Sequence, residues 1–241
     1  MSLMTQSRKK GVEKMKLAGN GALGVWHCVE AGSEAEVERW YINEHYHDRV
    51  VIEGFLRARN YKNLTDEGSL YFSRYDTVSV DDLSCDAYLR SLRNPSAWSQ
   101  TIFPRYHNTV RGAFAVSERW GVGIGGYLLS LRLDDGSNGI SAKVQQELAN
   151  NLHTLHGLDG VVSVESWIVN ANTSTIKTKE QEIRGQQDQY PLAAVLVDLM
   201  NPDIAQRVVE LLPALAELAK KDLMKLTYQL TKNELILPRP H

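Results

Sequence analysis

The chain has 241 residues, 43% hydrophobic and 23% charged, with a formal net charge of −2. That composition excludes global disorder, allows a core without disulfide staples, and gives no charge-driven pull towards nucleic acid or an anionic membrane. Sparse cysteine, Cys28 and Cys85 alone, fits a reducing compartment and a cytoplasmic location, and no apolar run has the length of a membrane-spanning helix.

Residues 1–18 are polar and basic, lack an apolar signal core, and read as a flexible leader. Gly21 to Glu30 alternates as a strand, with Leu23, Val25, His27 and Val29 on one face and Trp26 and Cys28 on the other. Ser33 then caps a helix that opens with Glu34 and Glu36 and runs to about His47. Strands follow at Phe55 to Tyr61 and Leu70 to Thr77. A helical region starts at Val80, breaks at Asn94-Pro95 and stops before Pro104, and Thr109 to Ser117 is a fourth strand. The order is β-α-β-β-α-β.

The second half repeats that order. Strands are expected at Leu128 to Asp134, Val161 to Val169, Leu192 to Leu199 and Leu223 to Thr231, with helices at Ile140 to His156 and at Ile204 to Lys221, the latter bent at Pro213. A long polar loop precedes Leu192. Gly21 to Gly32 aligns with Gly125 to Gly136 at an offset of 104, and Glu53 to Arg57 with Asp159 to Ser163 at an offset of 106. A period near one hundred residues indicates a duplicated domain rather than a solenoid unit. The division is a first repeat at 19–120, a Gly-rich linker at 121–126 and a second repeat at 127–241. Each repeat is an α+β, ferredoxin-like unit, a four-stranded antiparallel sheet with helices on one face. The bare sheet faces cover one another, so one chain forms an intramolecular pseudo-dimer. Further pairing into a homodimer stays open.

The β-α-β-β-α-β order, the duplication and the stretch WYINEHYHDRVVIEGFLRARNY (Trp40 to Tyr61) resemble the dimeric α/β-barrel superfamily, and within it EthD-like and related bacterial proteins. Residues 75–98, YDTVSVDDLSCDAYLRSLRNPSAW, are similar to that group as well. The resemblance covers the first half residue by residue and the second by topology. It implies a barrel in which one chain supplies both copies of a unit that members normally pair. In several enzymes of the superfamily a histidine in the cavity between helix and sheet acts without a cofactor, and none is expected here.

The strand at Phe55 to Tyr61 places Leu56 and Ala58 towards the helices and Arg57, Arg59 and Tyr61 inside the barrel. The second half places Val162 and Val164 towards its helices and Ser163, Glu165 and Trp167 inside, which predicts an Arg59–Glu165 ion pair across the barrel. Tyr41, His45 and Arg49 are spaced by four and share a helix face, and His27 lies on the strand face that packs against it. His45 titrates near neutrality in water and is the candidate catalytic residue, a general acid/base on an enolisable substrate; a histidine hydrogen-bonded within the core is the competing reading. Tyr41 would orient it and Arg49 would hold an anionic group. Asn60, Tyr71 and His107 complete the candidate binding set. No metal site is expected, since His45 and His47, two apart, diverge on a helix. Gly121 to Gly126 satisfies G-x-G-x-x-G, but a strand rather than a helix follows it, so no dinucleotide site is expected. Three functions remain open. The chain could be a cofactor-independent enzyme on an aromatic or oxo-functional metabolite, or a non-catalytic ligand-binding or stress-associated protein. Haem handling is the third.

Overall fold

The computed structural model describes residues 18–65, 69–134 and 139–236, so nearly all of the expected leader lies outside it. Eight antiparallel strands close into a barrel. In the first half β1 (Gly21–Val29) pairs with β3 (Ser69–Thr77) and β4 (Tyr106–Gly121), and β3 pairs with β2 (Phe55–Asn63). In the second, β5 (Tyr127–Leu133) pairs with β7 (Ala193–Leu199) and β8 (Lys220–Thr231), and β7 pairs with β6 (Val161–Val169). The barrel is closed by β2 against β8 and by β4 against β6. These are two ferredoxin-like βαββαβ sheets whose edges join, so closure removes the open strand edges that each would have alone.

Helices cover the outside of each sheet. On the first lie α1 (Glu34–Trp40), α2 (Tyr46–Val50), α3 (Asp86–Arg93) and α4 (Ala97–Ile102), and on the second α5 (Ala142–His156), α8 (Ala205–Leu211) and α9 (Pro213–Leu218). Two short helices, α6 (Ala171–Ser174) and α7 (Lys179–Arg184), lie in the loop between β6 and β7. The bend expected at Pro213 is a full break at Leu212, with Pro213 opening α9, where its missing N–H costs nothing.

Both halves enter their second strand alike. Gly54 and Gly160 have φ of +88° and +87°, and a register shift follows, between Phe55 and Arg57 and between Val161 and Ser163. The shift changes the expected faces. Phe55 and Ala58, with Val161 and Val164, pack under the helices, whereas Leu56 and Val162 join neither helix-side core. Gly121 and Gly125 are packing positions. A Cβ there would lie 2.3 Å from the Val162 carbonyl oxygen or 2.2 Å from that of Leu199.

The barrel interior holds Trp26, Tyr61, Phe72, Phe114, Trp167 and Met224 around a charged network. The expected Arg59–Glu165 pair does not form. Glu165 is bound by Arg74 at 2.6 Å and Arg119 at 2.9 Å, while Arg59 is held by Asp76 at 3.1 Å and lies 3.8 Å from Asp198. The reason is β3. It places Arg74 beside Arg59 and points Arg74 and Asp76 into the interior, so Arg74 reaches Glu165 and Asp76 takes Arg59. The halves are still joined by charge, through Arg74–Glu165 and Arg59–Asp198.

Candidate functional site

The site lies between the first sheet and its helices. The outward side chains of β1 and β3, Leu23, Val25, His27, Ser73 and Tyr75, form its floor. The helix over it is not regular. Between α1 and α2 the chain makes a π turn at Tyr41–His45, with the Tyr46 N–H bonded to the Tyr41 carbonyl. Such turns insert one residue into a helix and re-aim side chains. Here the turn stacks the rings of Tyr41 and Tyr46, with centroids 4.9 Å apart and planes 10° apart. Tyr41, His45 and Arg49 all line the cavity, as their spacing predicts. Its volume is about 30 Å³.

His27 is wholly buried and stacks on Tyr106 at 4.0 Å. The Tyr106 hydroxyl donates to that of Tyr41, which lies 2.6 Å from His27 Nε2. That order leaves the Tyr41 proton for Nε2 and assigns the imidazole proton to Nδ1. A second chain runs from Asn60 Nδ2 to the Tyr46 hydroxyl, 2.7 Å, and on to Ser73 Oγ, 2.9 Å. His45 is held by ring contacts, stacked on Trp40 at 4.1 Å and edge-on to Tyr75 and Phe103. Among the described residues no hydrogen bond reaches its ring nitrogens.

Burial sets the protonation states. It pushes His27 down to about 3 and, with Arg49 and His27 beside it, holds His45 well below the usual imidazole range. Burial also raises the Tyr41 and Tyr106 phenols well above theirs. At neutral pH the site therefore presents neutral imidazoles and neutral phenols.

The other expected residues divide. Arg49 is at the cavity but already engaged, with Glu180 at 2.6 Å and Ser91 Oγ at 3.3 Å, so it is not a free anion clamp. Asn60 lines a second cavity of about 80 Å³ behind Tyr41, shared with Thr227 and Tyr228 of β8. The Tyr71 hydroxyl is bound to Glu38 at 2.6 Å, and neither Tyr71 nor His107 lines the first cavity. Face alternation decides this for His107, since Tyr106 takes the helix-facing position.

Residues missed by the sequence reading come from both halves, the least expected from the second. The chain between β6 and β7 crosses to the first sheet and covers the part of the β4 edge that β6 leaves open. The Asn170 N–H bonds to the Ala113 carbonyl at 2.8 Å, the Arg111 N–H to the Gln189 carbonyl at 2.8 Å, and Ser174 Oγ accepts from the Ala113 N–H. Glu180 and Arg184 of α7 thereby become walls of the first-half cavity, with Arg111 and Tyr88. The capping box at Thr178 and Gln181 marks the start of α7, though nothing in that motif says which sheet it covers. Among the described residues no helix is long and apolar enough to cross a membrane, and no group of His, Cys, Asp or Glu is placed to hold a metal ion.

No protein-family model matches the chain, and no curated protein does. Solved structures do match, over nearly the whole chain. An anthrone oxidase-like protein aligns with a TM-score of 0.58 at 8% identity, covering 90% of this chain and 96% of its own. A candidate monooxygenase of Fusobacterium nucleatum aligns with a TM-score of 0.52 at 10% identity over 89% and 95%. A second, of Lactobacillus acidophilus, aligns at 0.52 and 11% over 88% and 97%. At such identities the likeness is one of fold, and the chain has the fold of the ferredoxin-like dimeric α/β-barrel proteins.

Proposed function

We propose that the protein binds a small aromatic or oxo-functional metabolite in the first-half cavity and acts on it without a cofactor, with His45 taking the proton. The observation that carries this reading is an imidazole that lines the cavity, held only by ring contacts, with both nitrogens free of hydrogen bonds among the described residues. Held neutral, His45 is the base of the expected acid/base pair, and Tyr41 serves as a hydrogen-bond donor beside it. The EthD-like kinship, the duplication with its division at 121–126, and a cytoplasmic site belong to the same proposal. They are supported by the Trp40–Tyr61 stretch, by the matched glycines at 54 and 160, and by the free Cys28 and Cys85. A second reading, non-catalytic binding, is favoured by the small cavity and by the Arg49–Glu180 pair that closes it.

A screen of aromatic and oxo-functional metabolites separates the two. Catalysis predicts turnover that falls about 10²–10⁴-fold in His45→Ala while binding persists. Binding to both proteins with no turnover in either selects the non-catalytic reading.

A further inference from the structure

The cavity is short of acceptors. Ten buried side-chain polar atoms among the described residues have no hydrogen-bond partner within ordinary geometry, and four belong to side chains around this one cavity. One of the four, His27 Nδ1, has the Val25 backbone as a partner at longer range. The other three, the Tyr75 hydroxyl, Arg111 Nη1 and Arg184 Nε, can donate, and the two guanidinium atoms can do nothing else. Native interiors pair their buried polar groups, so three unmet donors around one cavity point to a missing acceptor.

Charge points the same way. Three guanidiniums, Arg49, Arg111 and Arg184, face two carboxylates, Glu180 and Asp188. Glu180 is taken by Arg49 and Asp188 by Arg184. Arg111 is only 5% exposed, is bonded to the neutral Tyr88 hydroxyl at 3.0 Å, and has no carboxylate within ion-pair distance among the described residues. The carboxylates that favour its charge, Asp188 and Glu180, are each paired with another arginine, so Arg111 has no counter-ion of its own in contact.

We infer that the cavity receives the carboxylate of an anionic ligand, bound by Arg111 and Arg184 with the Tyr75 hydroxyl donating beside them. This rests on the small-molecule reading above and narrows its ligand to an acid. It also moves the anion-binding role from Arg49, which Glu180 occupies, to Arg111 on the floor and Arg184 on the cover. The space fits a head group and not a whole metabolite.

The test uses benzoate and formate against their neutral counterparts benzamide and formamide, at constant ionic strength, read by thermal unfolding. The carboxylates are expected to raise the wild-type melting temperature by roughly 3 °C at ten times Kd, and the amides by less than half of that. Arg111→Gln and Arg184→Gln should each weaken benzoate at least tenfold. Equal response to acids and amides overturns the inference and leaves the small-molecule site standing. Unchanged benzoate binding in both variants overturns it too, by placing the anion elsewhere. No response of wild type to any of the four overturns both readings.

Discussion

The two helix–sheet layers have the same topology and opposite chemistry. Strand register matches His27, Tyr71, Ser73 and Tyr75 of the first sheet to Leu131, Val195, Val197 and Leu199 of the second. The helix above the first sheet carries a π turn and a cluster of Trp40, Tyr41, His45 and Tyr46. Its counterpart α5 is a regular helix burying Val144, Leu148, Leu152 and Leu155. Five residues link β2 to β3 and twenty-three link β6 to β7, and the extra chain covers the first layer rather than its own. One layer is built for packing. The other gives up apolar burial for a polar cavity, as functional sites do.

The largest expected effect is of pH on that difference. His27 and His45 are both held below their unfolded value, so the unfolded state binds more protons and stability falls as pH drops below about 6.5. His27 alone, held at about 3, amounts to on the order of 2–3 kcal/mol over the two pH units to 4.5, and His45 adds to the loss in the same direction. Below that range buried carboxylates such as Asp76 and Glu165, held low by Arg74, add their own loss. Denaturant unfolding across pH 4.5–7 should show this slope, and His27→Leu should make it shallower. An unchanged slope in the variant would mean that His27 is not a buried neutral imidazole.

Leu131→His transplants the first layer's imidazole into the second. It should cost about 4 kcal/mol, since it removes a buried leucine and adds a polar group with no partner. Little loss would show that the second layer also tolerates polarity. Glu180→Gln leaves Arg49 buried and unpaired and should cost about 3 kcal/mol, with faster hydrogen exchange in residues 171–189 as the cover loosens. The smallest effect is expected from Tyr46→Phe, about 1 kcal/mol, for losing the bonds to Ser73 and Asn60.

Periodicity and turn residues made the strands, their order and the α+β architecture readable, because each rests on local alternation and on glycine or proline at element ends. They also placed Tyr41, His45, Arg49 and His27 on facing surfaces. The Arg59–Glu165 pairing failed for want of a face for β3. Arg74 and Asp76 stand between those partners, and a strand buried on both sides leaves little alternation to read.

By itself the sequence determined the β-α-β-β-α-β order of elements, run through twice, and the helix face over the first sheet, since these follow from spacing within one element and from the order of elements along the chain. Tertiary structure alone decided which charges pair across the barrel, that a π turn shapes the helix, and that Glu180 and Arg184 wall a cavity belonging to the other half. The charge pairs across the barrel and the cover depend on side chains far apart in sequence meeting around a closed barrel, as Arg74 and Glu165, 91 residues apart, and Arg49 and Glu180, 131 apart, do, and no local pattern encodes such a meeting.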